Sequence, residues 1–175
     1  RQGERHQIMD AWHPYKESWD TEHNVRRAAY AAMITRMDTY IGRVLDLVEE
    51  LDLNKDTIVI FTSDNGTTHL KLEVDYDFFE SVGKLRGLKG SLYEGGIRVP
   101  GIFCWPGHIA SGREESTPAG LVDVLPTVCG LLGLDPPAVH LDGSDLSGLL
   151  TGKVDSFIRH QPLFWHLQKS RPIVA

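Results

Sequence analysis

The residues with the clearest capacity for chemistry are an acid and an amide, Asp64 and Asn65, and a lysine further along, Lys89. Asp64 and Asn65 lie in Ser63-Asp-Asn-Gly66, where turn formers break the run Thr57-Ile-Val-Ile-Phe-Thr62. That run is β-branched or aromatic and almost uninterrupted in apolar character, the pattern of a short strand buried on both faces of a parallel sheet. Side chains emerging at the carboxyl end of such a strand stand on the rim where open α/β sheets bind ligands. An arbitrary Asp-Asn-Gly is more often a plain turn; the strand before it and the segment after it favour a site here. Lys89 falls in Leu85–Pro100, whose glycines at 87, 90, 95 and 96 imply tight turns and close backbone approaches that constrain the lysine. His69 follows Asp64 closely and is either within reach of a bound anion or a solvated loop residue.

These groups need elements to hold them. From Val25, the residues Ala29, Ala32, Met33, Met37, Tyr40, Ile41, Val44, Val48 and Leu51 recur at three- and four-residue steps and lay one apolar stripe along a helix. Asn24 or Thr21 is its expected cap, and Asp38 an exposed or paired carboxylate on it. The helix closes at Asp52-Leu-Asn-Lys-Asp56 and feeds into the strand, forming an αβ unit of the kind that builds parallel sheets covered by helices. After Gly66 a long irregular loop to Gly83 carries the aromatic, acidic run Asp75-Tyr-Asp77-Phe-Phe79. Ile97 to Trp105 reads as a second strand ended by Pro106-Gly107. Asp123 to Leu132 reads as a short helix with an acidic cap, an early Pro126 and a stop at Gly133. Asp142-Gly-Ser-Asp145 reads as a turn capping a helix over Leu146 to Leu150, stopped by Gly152, and Pro162 to Trp165 as the start of a further strand. Residues 1–24 show no sustained period and read as a loop or extended lead-in; the spacing of His6, His13 and His23 fits no zinc pattern.

Composition narrows the classes. A chain of 175 residues, 41% hydrophobic, supports one domain or most of one. A net charge of −6 with scattered basic residues carries no electrostatic footprint for nucleic acid. No apolar run approaches the ~20 residues that cross a bilayer, and the start has no signal-peptide core. Lacking an initiator Met, the chain reads as a piece of a longer product. Cys104 and Cys129 sit in apolar surroundings that suit buried thiols rather than a disulfide framework.

Taken in order, Met37-Asp38 with Ile41-Gly42, Phe61-Thr-Ser-Asp-Asn-Gly66, Leu85-Arg-Gly-Leu-Lys89, Tyr93-Glu-Gly-Gly-Ile-Arg-Val-Pro100, Trp105-Pro-Gly107 and Asp123-Val-Leu-Pro-Thr127 resemble the sulfatase family. The resemblance runs from about Ala29 to about Trp165. It implies an α/β, alkaline-phosphatase-like fold: a mainly parallel sheet covered by helices, here incomplete. Residues 25–175 would be the C-terminal part of a sulfatase-type catalytic domain. It further implies that Asp64 and Asn65 are ligands of a divalent cation, usually Ca2+, and that Lys89 contacts the sulfate as a binding and catalytic group. Those types suit the roles, because calcium prefers oxygen donors and a breaking sulfate ester needs positive charge around its oxygens.

The family's nucleophile, a Cys or Ser in Cys/Ser-x-Pro-x-Arg converted to formylglycine, has no match here; it and the remaining metal ligands are expected in an N-terminal part. Cys104-Trp-Pro106-Gly-His108 comes nearest but has His108 where arginine is required, and Cys104 is read as a buried strand residue. The chain alone is therefore expected to be inactive. The parent would cleave sulfate monoesters of small molecules or glycans, in a periplasmic, secreted or lysosomal setting. The alternatives are a phosphate or phosphonate ester hydrolase of the same superfamily, against which Asn65 leans because many such relatives carry His there, and a non-catalytic remnant or interaction protein. Neither the sulfate-bearing alcohol nor the oligomeric state is legible.

Overall fold

A computed structural model describes residues 23–70, 74–159 and 161–167. The expected lead-in loop with His6, His13 and the candidate cap Thr21 lies outside the described residues. The chain divides into two compact units, one joining residues 1–47 to 65–98 and the other joining 48–64 to 99–175.

Helix α1 (His23–Glu50) appears where the three- and four-residue period foretold it. Asn24 lies inside the helix, so it is not the cap. The apolar stripe forms but much of it is uncovered: Met33, Met37, Tyr40, Val44 and Leu51, with Leu47 beside them, are each between 45% and 62% exposed. Ala29, Ile41 and Val48 of the same stripe are half-buried, as is Tyr30. The helix ends with Leu53 N–H donating to Val48 O at 2.9 Å and Asp52 at a φ of 56°.

The rest of the first unit is the 65–98 segment. Successive turns from Asp75 to Leu85 are closed by backbone bonds, and Glu94–Ile97 makes one helical turn, α2. A strand had been expected from Ile97. Instead Arg98 N–H bonds back to Glu94 O at 2.7 Å, and Pro100 has no N–H to offer a ladder, so the strand is delayed to Gly101.

In the second unit, β1 (Val59–Thr62) pairs with β2 (Gly101–Cys104), Ile60 opposite Phe103 and Phe61 opposite Ile102. The pair is antiparallel, a correction to the parallel arrangement expected of β1. Its residues are half-buried or exposed rather than covered on both faces, so Cys104 is exposed, not buried, and Cys129 is half-buried. Trp105 closes the β2 end by donating its indole N–H to Lys55 O at 2.6 Å, while His108 stacks on its ring at 3.8 Å. Cys-Trp-Pro-Gly-His is thus a strand followed by a pinned turn.

The core of this unit lies further on. A 3-10 turn (Leu121–Asp123) leads into α3 (Val124–Leu132), which stops at Gly133 in the left-handed region, as the sequence indicates. α4 (Ser147–Leu150) packs on α3 and buries Leu146 and Leu149. Asp145 Oδ1 accepts the Ser147 N–H at 2.7 Å in a local turn just before the helix, whose N-cap position is Leu146, without a side-chain cap. Asp123 does something other than cap α3. Its carboxylate, 2% exposed, accepts N–H bonds from Gly120 and Ser144, both at 2.8 Å, and a two-pronged bond from Arg159 at 2.8 and 2.6 Å. Thr127 beside it accepts the Leu146 N–H at 3.0 Å. Residues 162–167 form no strand. Among the described residues no helix is long and apolar enough to cross a membrane.

Candidate functional site

Asn65, Gly66 and Thr67 leave the end of β1 and are gripped by the glycine-rich segment. The Lys89 N–H donates to Thr67 O at 2.8 Å, and the Gly66 N–H donates to Gly96 O at 2.9 Å. The segment is closed on itself by Gly95 N–H to Arg86 O at 2.7 Å and by Ser91 N–H to Leu88 O at 3.0 Å. The backbones meet so closely that a Cβ on Gly66 would overlap the Gly95 carbonyl, and one on Gly95 would overlap the Gly87 carbonyl. Gly87 itself stands at a φ of 88°, the left-handed region that costs glycine nothing. The glycines therefore do what their pattern implied, bringing Lys89 and the Asn65 turn into one fixed backbone frame.

Within that frame the Lys89 side chain is exposed, Asn65 is half-buried, and Asp64, the residue before Asn65, is exposed. An exposed ammonium whose backbone is held is available to an anion, with three donors on a flexible four-carbon stem. Asp64 and Asn65 offer a carboxylate and an amide oxygen, a donor pair that suits a hard cation but makes up only two of the six to eight oxygens calcium takes. Among the described residues no group of three or more His, Cys, Asp or Glu could hold a metal ion. His69 is exposed beyond Thr67.

Two other acids are engaged by arginines. Asp75, from the aromatic acidic run, accepts bonds from the Arg27 Nε–H and Nη2–H at 2.9 and 2.7 Å. Sequence reasoning missed Arg27 because its partner lies 48 positions away. The one available signal was an arginine at the start of a helix and an isolated acid flanked by aromatics in a loop. Asp123 and Arg159 were likewise missed as a pair, 36 positions apart in the chain.

A family model, Sulfatase, matches residues 4–134. Human arylsulfatase A (Homo sapiens) is 38% identical over 140 residues, covering 80% of this chain and 26% of that protein. Steryl-sulfatase of Mus musculus is 38% identical over 150 residues, covering 79% and 24% respectively. Among solved structures, Ps i-CgsB in complex with k-i-k-neocarrahexaose superposes with a TM-score of 0.61 at 29% identity, over 76% of this chain and 29% of that one. PsFucS1 sulfatase from Pseudoalteromonas sp. gives 0.53 at 32% identity, over 66% and 23%. The chain thus spans about a quarter of the length of the relatives it matches. These neighbours carry the alkaline-phosphatase-like fold, of which the αβ elements described above are a part. By the match over most of its length, the chain belongs to the sulfatase family.

Proposed function

We propose that this chain supplies one side of the active site of a sulfuric ester hydrolase: Asp64 and Asn65 to a divalent cation, Ca2+ first among candidates, and Lys89 to the sulfate. The observation that carries the reading is the backbone bond between Lys89 and Thr67, which sets the lysine beside the turn that begins with Asn65. The cation, when bound, would neutralise charge on the sulfate and on the attacking group. Asp64 offers it a charged oxygen and Asn65 a neutral one, while Lys89 supplies a separate positive charge where negative charge develops as the ester bond breaks.

The nucleophile, expected as formylglycine, and the remaining cation ligands belong to the parent protein outside this stretch, so the chain alone is inactive in this reading. Substrates are sulfate monoesters of small molecules or glycans, and the parent's setting is periplasmic, secreted or lysosomal. The name of one structural neighbour includes an oligosaccharide, which supports the glycan class for that protein and suggests it for this one. The amide of Asn65, in place of an imidazole, favours a calcium-type site over the zinc or manganese sites of phosphate ester hydrolases.

The test uses the complete polypeptide that contains this sequence. Asp64→Ala should empty or weaken the metal site. Lys89→Ala should keep the metal and lower kcat/KM by about 10²-fold or more, as expected for one preorganised charge. Metal content measured beside kinetics decides: near-normal turnover in Lys89→Ala, or calcium lost from Lys89→Ala and kept by Asp64→Ala, would overturn the assignment.

A further inference from the structure

Arg27 makes more contacts than a surface ion pair requires. Its Nε–H and Nη2–H converge on Asp75 Oδ2, and its guanidinium lies 3.9 Å from the centroid of the Phe78 ring. The other carboxylate oxygen of Asp75 accepts the Phe78 N–H at 3.3 Å, and one turn along α1 the Tyr30 ring meets Phe79 at 4.9 Å. Side-chain exposures of 32% for Arg27 and 16% for Asp75 put the pair partly out of water, where charge-assisted bonds and cation–π contact are stronger than on an open surface.

The clasp stands at the head of a series of overlapping turn bonds that runs to Leu85, four residues before Lys89. Phe79 N–H bonds to Asp75 O, Ser81 to Tyr76 O, Gly83 to Glu80 O and Leu85 to Val82 O, at 2.8 to 3.1 Å. Arg86 O then takes the Gly95 N–H, and Lys89 N–H reaches Thr67 O. From Asp75 to Leu85 the chain is a run of turns fastened to α1 at its head, and the irregular stretch that follows is held by the Arg86–Gly95 bond and, at Lys89, by the Asn65–Thr67 turn.

We propose that Arg27 is a positioning residue for Lys89: by clasping Asp75 and Phe78 it holds rigid the segment that carries the lysine to the site. The inference deepens the sulfatase reading and rests on it for the role of Lys89. Amide hydrogen exchange, read residue by residue by NMR on this chain, tests it with Arg27→Met and Arg27→Lys. In Arg27→Met, which keeps the aliphatic length and removes the donors, exchange at Phe79, Ser81 and Lys89 should accelerate about tenfold, the scale of one lost charge-assisted bond. Arg27→Lys, with a cation but no fork, should fall between. The Leu146 amide, bonded to Thr127 in the other unit, should keep its rate. If Arg27→Met loosens Leu146 as well, the Arg27→Lys variant carries the comparison.

Acceleration at Phe79 and Ser81 with Lys89 unchanged would reduce the clasp to a local fastening and overturn the proposal, as would no change at any of the three. Titrating the wild-type chain with sodium sulfate tests the underlying reading separately. A Lys89 amide signal that moves would support its anion role, near-normal turnover of Lys89→Ala in the complete polypeptide would refute that role, and the exchange result would in either case decide whether Arg27 fixes the lysine.

Discussion

Replacing Asp123 by alanine should destabilise the second unit more than any other single change to a polar side chain there. The carboxylate is buried, and its four hydrogen bonds tie together the 3-10 turn at Gly120, the loop at Ser144 and Arg159. Removing it strands the Gly120 and Ser144 N–H groups. It also leaves the Arg159 guanidinium, 13% exposed, without its counter-charge; that group's remaining acceptors are Pro118 O at 3.2 Å and Ser144 Oγ at 3.4 Å. Breaking a buried pair by deleting one partner costs about 3–5 kcal/mol. Asp123→Asn should cost nearly as much, because its amide N–H groups would face donors where the carboxylate accepts on both sides. The double variant Asp123→Leu/Arg159→Met should recover part of the loss, since the orphaned charge goes with its partner.

Urea unfolding followed by circular dichroism and tryptophan fluorescence measures each variant; one already unfolded without urea meets the expectation. A loss below about 1 kcal/mol for Asp123→Ala, the range of an exposed pair, would refute the assignment of a buried clamp. Acid gives an independent reading. Burial, the largest single influence on Asp123, pushes its carboxyl pKa up, but the Arg159 hydrogen bond, the Ser144 and Gly120 N–H groups and the Arg159 charge together hold it below the usual carboxylate value. A carboxyl depressed in the folded state stabilises fully above its unfolded pKa, about 3.9, and loses that contribution as pH falls through the folded value. Stability should therefore hold near pH 5 and decline below about 4, with the decline reduced in the Asp123→Leu/Arg159→Met variant.

Three other outcomes are expected. The isolated chain should show no hydrolysis of an aryl sulfate with calcium supplied; turnover above a denatured control, abolished by Lys89→Ala, would show that the nucleophile has been misread as absent. Calcium should bind this chain with a Kd no tighter than about 10⁻⁴ M by isothermal titration, because two adjacent oxygens leave most of the shell to water; a submicromolar site would mean that further ligands complete it. Gly66→Ala should cost about 3 kcal/mol or more in urea unfolding, since the added methyl meets the Gly95 backbone rather than a yielding side chain; a neutral substitution would refute the close approach.

The sequence carried the local structure well where one segment could encode it alone. α1 was legible from its period, α3 from Pro126 and Gly133, and α4 from its turn and Gly152. The frame around Lys89 was legible too, because glycines at 87, 95 and 96 have few uses other than close approach. What depended on distant partners was not. An apolar run such as Ile58 to Phe61 says that a strand will pair but not in which direction, so the antiparallel match to Gly101–Cys104 went unseen. The same limit hid Arg27 with Asp75 and Asp123 with Arg159. Cys104 was placed inside on apolar neighbours alone, although burial needs a covering layer and its strand pair has an open face. The roles of Asp64, Asn65 and Lys89 came from the resemblance and await the variants above.

The uncovered stripe on α1 has a calorimetric consequence. Heat capacity rises on unfolding in proportion to the apolar surface newly wetted, and a typical chain of this length gains about 2.1–2.6 kcal/mol/K. Met33, Met37, Tyr40, Val44, Leu47 and Leu51 are already about half in water when folded and so add less than a covered stripe would. This chain should therefore unfold with a heat-capacity increment and a urea m-value well below those of compact proteins its size, giving a broad, shallow transition.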